Sequence, residues 1–191
     1  MSRKQLSKLM LITTLVCDLF YALSYPYIYA ETLKAVSKVY ISSEQLISCL
    51  GVLVFGVAWN KYGDKLYHHY PLIVLAETVA DIVLFTHVLI TGNLKVYYIF
   101  NVLIYAIITR NMANGGIKLR AKVHPDERSR ERYDNNCNIV NSFATLLGAT
   151  ISIAISIDTK VLFMFALIGN TFDNFCYYYI YRKVNEIGVK L

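Results

Sequence analysis

Apolar residues in this chain gather into long windows broken by short polar punctuation, a pattern unlike the alternation of half-buried strands or the single apolar stripe of a soluble helix. Windows of about 20 apolar residues, enough to cross a bilayer as helices, fall at 8–30, 43–60, 70–92, 96–119, 136–157 and 161–182. The second is short, and the fourth carries Arg110 and Asn111 inside it. The expected architecture is an all-α membrane protein with six transmembrane helices in one domain spanning 1–191. The connecting segments are too short for a separate soluble domain, and the longest, near 117–135, is rich in Arg, Lys, Asp and Glu.

Composition agrees with the pattern: 56% of residues are hydrophobic, only 17% are charged, and the mean hydropathy is +0.43. A net charge of +6 would point to nucleic acid in a soluble protein, but here the cations cluster between apolar runs with no nucleic-acid motif, so no nucleic-acid partner is expected. With the N-terminus on the cytoplasmic side, only Lys34, Lys38, Lys95 and Lys160 fall on the far side; the other lysines and arginines, Lys190 included and Arg110 excepted, fall on the near side. The positive-inside rule then places both termini in the cytoplasm of a multi-pass protein, in a bacterial-type plasma membrane. The opening Arg3, Lys4 and Lys8 before an apolar stretch with Ala22-Leu23-Ser24 resemble a signal peptide, but Asp18 and the continued apolar character through Tyr29 favour a retained span. Cys17, Cys49, Cys137 and Cys176 stand singly, without C-x-x-C or histidines at ligand spacing, and read as small packing residues. No metal site and no cofactor are expected. No nucleophile elbow, H-E-x-x-H or phosphate-binding glycine loop is present, so an enzyme is not expected.

Between the second and third windows stands GVAWNKYGDK, at 56–65. In the six-span topology it is expected to be a tight cytoplasmic turn, with Gly56 allowing close helix packing, Gly63 supplying backbone freedom, and Lys61 and Lys65 at the headgroups. The stretch resembles the signature of the major facilitator superfamily in the same loop, where Gly56, Lys61, Gly63 and Lys65 match. Asn60 replaces that family's gating acid, and Asp64 one of its basic residues. RNMANGG, from Arg110, resembles the family's fourth-helix arginine followed by a Gln-Gly pair, with Asn114 and Gly115 in the place of that pair. HPDERSRER followed by NSFATLLGATI is similar to its fourth loop running into a small-residue-rich fifth helix.

The resemblance implies one six-span half, more naturally the first, built as a 3+3 inverted repeat with spans one and four facing a central cavity. It further implies a transporter of a small organic solute that works by alternating access, as a homodimer or with a second half-transporter. The rival is an accessory or immunity membrane protein that keeps the half-transporter fold without transporting, a reading that Asn60 favours.

A charge near the bilayer centre costs roughly 2.5–3.5 kcal/mol on insertion scales, so each one calls for a reason. Asp18, Glu77, Asp81, Arg110 and Asp173 are such residues. By the resemblance, Asp18 on the first span is the proton-coupling acid and Arg110 on the fourth its partner, the alternative being a structural salt bridge. Glu77 and Asp81, four apart, share a helix face and are expected to meet a neighbouring helix or a second subunit. Tyr21, Tyr25 and Asn114 are candidate cavity-lining residues, and Pro26 a candidate kink. His87, His68 and His69 read as packed or interfacial groups, and most tyrosines as an aromatic belt.

Overall fold

The structure is a computed structural model that describes residues 1–154 and 157–188, so Lys190 and the positions 155 and 156 of the fifth window lie outside the described residues. Seven α-helices follow one another: α1 (Arg3–Ala35), α2 (Lys38–His68), α3 (Tyr70–Thr91), α4 (Leu94–Ile104), α5 (Arg110–Val123), α6 (Glu127–Ala154) and α7 (Thr159–Gly188). A π-helical segment, Tyr105–Thr109, joins α4 to α5. The described residues contain no strand.

Local chemistry explains several helix ends. Gly92 closes α3 in the left-handed region (φ 66°) and returns its N–H to Val88 O, and it is the only positive-φ residue among those described. Asn93 caps α4 by accepting from Val96 N at 3.2 Å. Asp126 accepts from Ser129 N at 2.8 Å at the start of α6, and Asp158 from Lys160 N at 2.7 Å at the start of α7. Inside the helices, hydroxyls bond back one turn: Thr13 to Leu9 O, Thr14 to Met10 O, Ser24 to Phe20 O, Thr32 to Ile28 O and Thr78 to Val74 O. A polar side chain satisfied within its own helix can sit in hydrocarbon without a further partner.

Four helical stretches are long and apolar enough to cross a membrane: Arg3–Ala35, Ser43–His68, Tyr70–Thr91 and Leu94–Val123. The last takes in α4, the π-helical segment and α5. α3 shows how they are dressed. Its inward face is Tyr70, Val74, Glu77, Asp81, Leu84, Phe85 and Val88, while Leu72, Leu75, Val79, Ile82, Val83 and Ile90 stand exposed. Acids inside and aliphatic groups outside are the reverse of a soluble helix, and fit lipid as the solvent. The windows expected at 136–157 and 161–182 are helical as α6 and α7, but over the described residues they are not among the four. Asn136, Asn138 and Asn141 dilute the first, and Asn170, Asp173 and Asn174 the second.

The turn expected at 56–65 is helix instead. α2 runs through Gly56, Asn60, Lys61, Gly63 and Lys65 to His68, kinked only at Tyr62 (φ −123°, ψ 15°). α2 ends at His68, and after the single residue His69 (φ −90°, ψ 2°) α3 begins, with Pro71 in its first turn, where a missing N–H is tolerated. A Cβ placed on Gly56 would meet nothing within 4 Å, so no helix packs closely there.

The helices divide into two compact units, Met1–Tyr25 with Gly116–Leu191, and Pro26–Gly115. In the first, Gly148 and Gly169 bring α6 and α7 against α1: a Cβ on either would lie 2.6 Å from Ala22 Cβ or 2.7 Å from Phe20 Cβ. Phe20 also meets Phe165 edge-on at 5.9 Å. In the second, Gly51 lies against the Ala106 carbonyl of the π-helical segment, and Gly115 lies under the Tyr70 ring.

Candidate functional site

Within the first unit, one turn of α1 presents Thr14, Cys17 and Asp18 on one face, as the spacing i, i+3, i+4 requires. α6 adds Tyr133, Cys137, Asn138 and Asn141, α7 adds Asp173 and Tyr177, and α5 adds Arg120; together these line a cavity of about 270 Å³. The Cys17 thiol donates to Asp173 Oδ1 across 3.3 Å. Asn141 hydrogen-bonds the Asp18 carboxylate, whose Oδ2 is buried and accepts no hydrogen bond. Arg120 donates to Asp134 Oδ1 at 2.7 Å and lies 5.6 Å from the centre of the Tyr133 ring.

The charge balance follows from these contacts. Arg120 is already matched by Asp134, so no other cation lining the cavity offsets Asp18 and Asp173 when they are ionised. Such a chamber suits a proton or a small cationic, hydrogen-bonding solute, with Tyr177 as a ring face for the cation. Among the described residues no three His, Cys, Asp or Glu side chains are arranged to hold a metal ion.

The second unit holds the other charged residues of the spans. Glu77 and Asp81 are buried on α3, each 7% exposed, and Thr109 donates to Glu77 Oε1 at 2.7 Å from the last residue of the π-helical segment. Trp59 Nε1 donates to Asn111 Oδ1 at 2.8 Å, while Asn111 Nδ2 donates back to Ile107 O at 2.5 Å. Arg110 lies 4.9 Å from the Tyr105 ring centre, with Nε buried and unbonded. π-Helical insertions, which add one residue to a turn, occur often at functional positions, and here the insertion immediately precedes Arg110.

Asp18 and Asp173, singled out separately in the sequence, thus share one cavity. Arg110 belongs to the other unit, and the guanidinium beside Asp18 within its own unit is that of Arg120. Tyr21 and Tyr25 stack at 4.3 Å, with Asn170 donating to the Tyr25 hydroxyl at 3.2 Å, and neither lines the cavity. Asn114 lies in the second unit beside Gly115. Arg120 escaped notice because it sits in a run of cations read as orienting charge. Asn138 and Asn141 were not singled out in the sequence, although their spacing from Tyr133 and Cys137 on one helix face is a signal it carries.

Compared with protein families, curated proteins and solved structures, the chain matches none.

Proposed function

We propose that the chain is a half-size, major-facilitator-like transporter of a small organic solute, with α6 and α7 completing six spans in a 3+3 inverted repeat and two copies forming the working unit. Both termini face the cytoplasm in this reading, on the strength of the lysine and arginine asymmetry. Asp18 is the proton-carrying acid and Asp173 its neighbour in the cavity. Arg110 is the cation that the family resemblance assigns to the cycle, and Arg120 is held by Asp134 beside the chamber. The observation that carries the reading is the meeting of Asp18 and Asp173 around a chamber of about 270 Å³. Two carboxylates in an apolar bundle are costly unless protons or a cationic solute visit them.

Uptake into proteoliposomes, with and without a pH gradient and across a panel weighted toward organic cations, tests it. The expected result is gradient-driven uptake that is lost in Asp18→Asn while solute exchange without a gradient persists. Unchanged driven uptake in Asp18→Asn would remove the proton assignment. No flux across the panel would favour the accessory reading, which has its own support: Asn60 stands in the place of the gating acid, and 56–65 is helix rather than a signature loop. The mass of the detergent-solubilised complex is expected to be that of two copies; a strict monomer overturns the paired arrangement.

A further inference from the structure

A second cavity, of about 440 Å³, opens where the first turn of α1 meets the connection from α5 to α6. It shares only Tyr133 with the chamber around Asp18. Arg3, Lys4 and Arg132 line it, all exposed, and among the described residues none of them forms an ion pair. The lining holds one carboxylate, Asp126, which accepts the Ser129 N–H at the start of α6 through Oδ1 and whose single negative charge the three cations outnumber.

His124 also lines it, 7% exposed, with its ring against Tyr133 at 4.6 Å between centroids. Its Nδ1 lies 2.9 Å from Ser129 Oγ, and its Nε2 is buried with no hydrogen-bond partner. A buried imidazole nitrogen is rarely left unsatisfied. When the Ser129 hydroxyl donates to Nδ1, Nε2 carries the proton and is a donor without an acceptor. Three unpaired cations around a buried donor that lacks an acceptor describe a receptor for an oxyanion, and arginine forks fit phosphate oxygens two at a time.

We propose that this cavity binds a phosphate group, presented by an anionic lipid headgroup or as free phosphate, with Arg3, Lys4 and Arg132 supplying charge and His124 Nε2 a directed hydrogen bond. The site does not depend on the transport reading, because none of these four residues lines the Asp18 chamber.

The test uses the full chain in a neutral detergent at fixed ionic strength, which holds screening constant. Thermal unfolding is followed with inorganic phosphate, with short-chain phosphatidic acid, and with phosphatidylcholine and chloride as controls; bound lipid is counted by native mass spectrometry. A saturable rise in Tm with phosphatidic acid is expected, absent with phosphatidylcholine. An equal rise with inorganic phosphate assigns the site to the free anion, and a rise with the lipid alone assigns it to a headgroup. R132Q and R3Q are each expected to weaken apparent affinity by about tenfold, and H124Q comparably. Because the arginines are exposed, their replacement should leave the ligand-free Tm near that of the parent, and lipid counting reads binding in R132Q independently of Tm. No response to either phosphate source, or binding by R132Q and R3Q as tight as that of the parent, would overturn the proposal.

Discussion

Gly56 and Gly115 both lie in helices, yet alanine should act with opposite sign at the two positions. Around Gly56 there is open space, so Gly56→Ala is expected to stabilise by roughly 0.5–1 kcal/mol through the backbone entropy that glycine otherwise loses. At Gly115 the new methyl would collide with the ring of Tyr70, which is fully buried and has nowhere to swing. Overpacking of that kind costs about 1–3 kcal/mol. Denaturant unfolding of the two variants measures both; a destabilising Gly56→Ala would restore the close packing expected from the signature. His124 gives a pH prediction. Burial holds its imidazole below the ordinary range, with Asp126 and Asp134 opposing that shift and Arg120 reinforcing it. The unfolded chain therefore binds more protons near the usual histidine pKa of about 6.5, and stability is lost as pH falls through that value. Tm measured from pH 8 down to pH 5 should fall less steeply in H124Q. At this scale the acids were legible, because a carboxylate in an apolar run calls for a partner or a proton, whereas Arg120 was hidden among cations that all carry the same apparent purpose.

The π-helical segment is the least ordinary element. One added residue in the turn lets Arg110 N reach Tyr105 O, five residues back, and fixes the faces on which Thr109 and Asn111 emerge toward Glu77 and Trp59. Deleting Ile108 would rotate everything after it by about 100°. That deletion is expected to break the Trp59–Asn111 and Thr109–Glu77 hydrogen bonds, to shift the Trp59 emission maximum, and to lower Tm; an unchanged spectrum would mean the insertion does not set this register. No residue pattern announces such an insertion, and the sequence showed only an apolar window with Arg110 and Asn111 in it. Helix ends at Gly92-Asn93, Pro125-Asp126 and Asp158 were readable because capping is local chemistry. The path of α2 through 56–65 was not, since glycine and lysine serve a turn or the polar end of a long helix equally well.

At the scale of the whole chain, the membrane character was plain from hydropathy, and the four helical stretches long and apolar enough to cross a membrane fall where apolar windows lay, longer by a turn or more at several ends. The number of crossings is open to a direct test. If α6 and α7 complete six spans, Asp126→Cys and Asp158→Cys will be labelled by a membrane-impermeant thiol reagent from opposite faces, and labelling from one face would leave four. The division into two units is not legible in the sequence, because the first joins two segments distant in sequence, Met1–Tyr25 and Gly116–Leu191, around the continuous second. Their boundaries fall at Pro26 inside α1 and between Gly115 and Gly116. Trp59 is the only indole in the chain and lies in the unit Pro26–Gly115. Its ultraviolet emission is therefore a label-free optical gauge of that unit alone, silent when helices 6 and 7 come apart. A melting curve followed by tryptophan light and another followed by circular dichroism, which sums every peptide group, will superimpose only if the molecule loses its order in a single cooperative event.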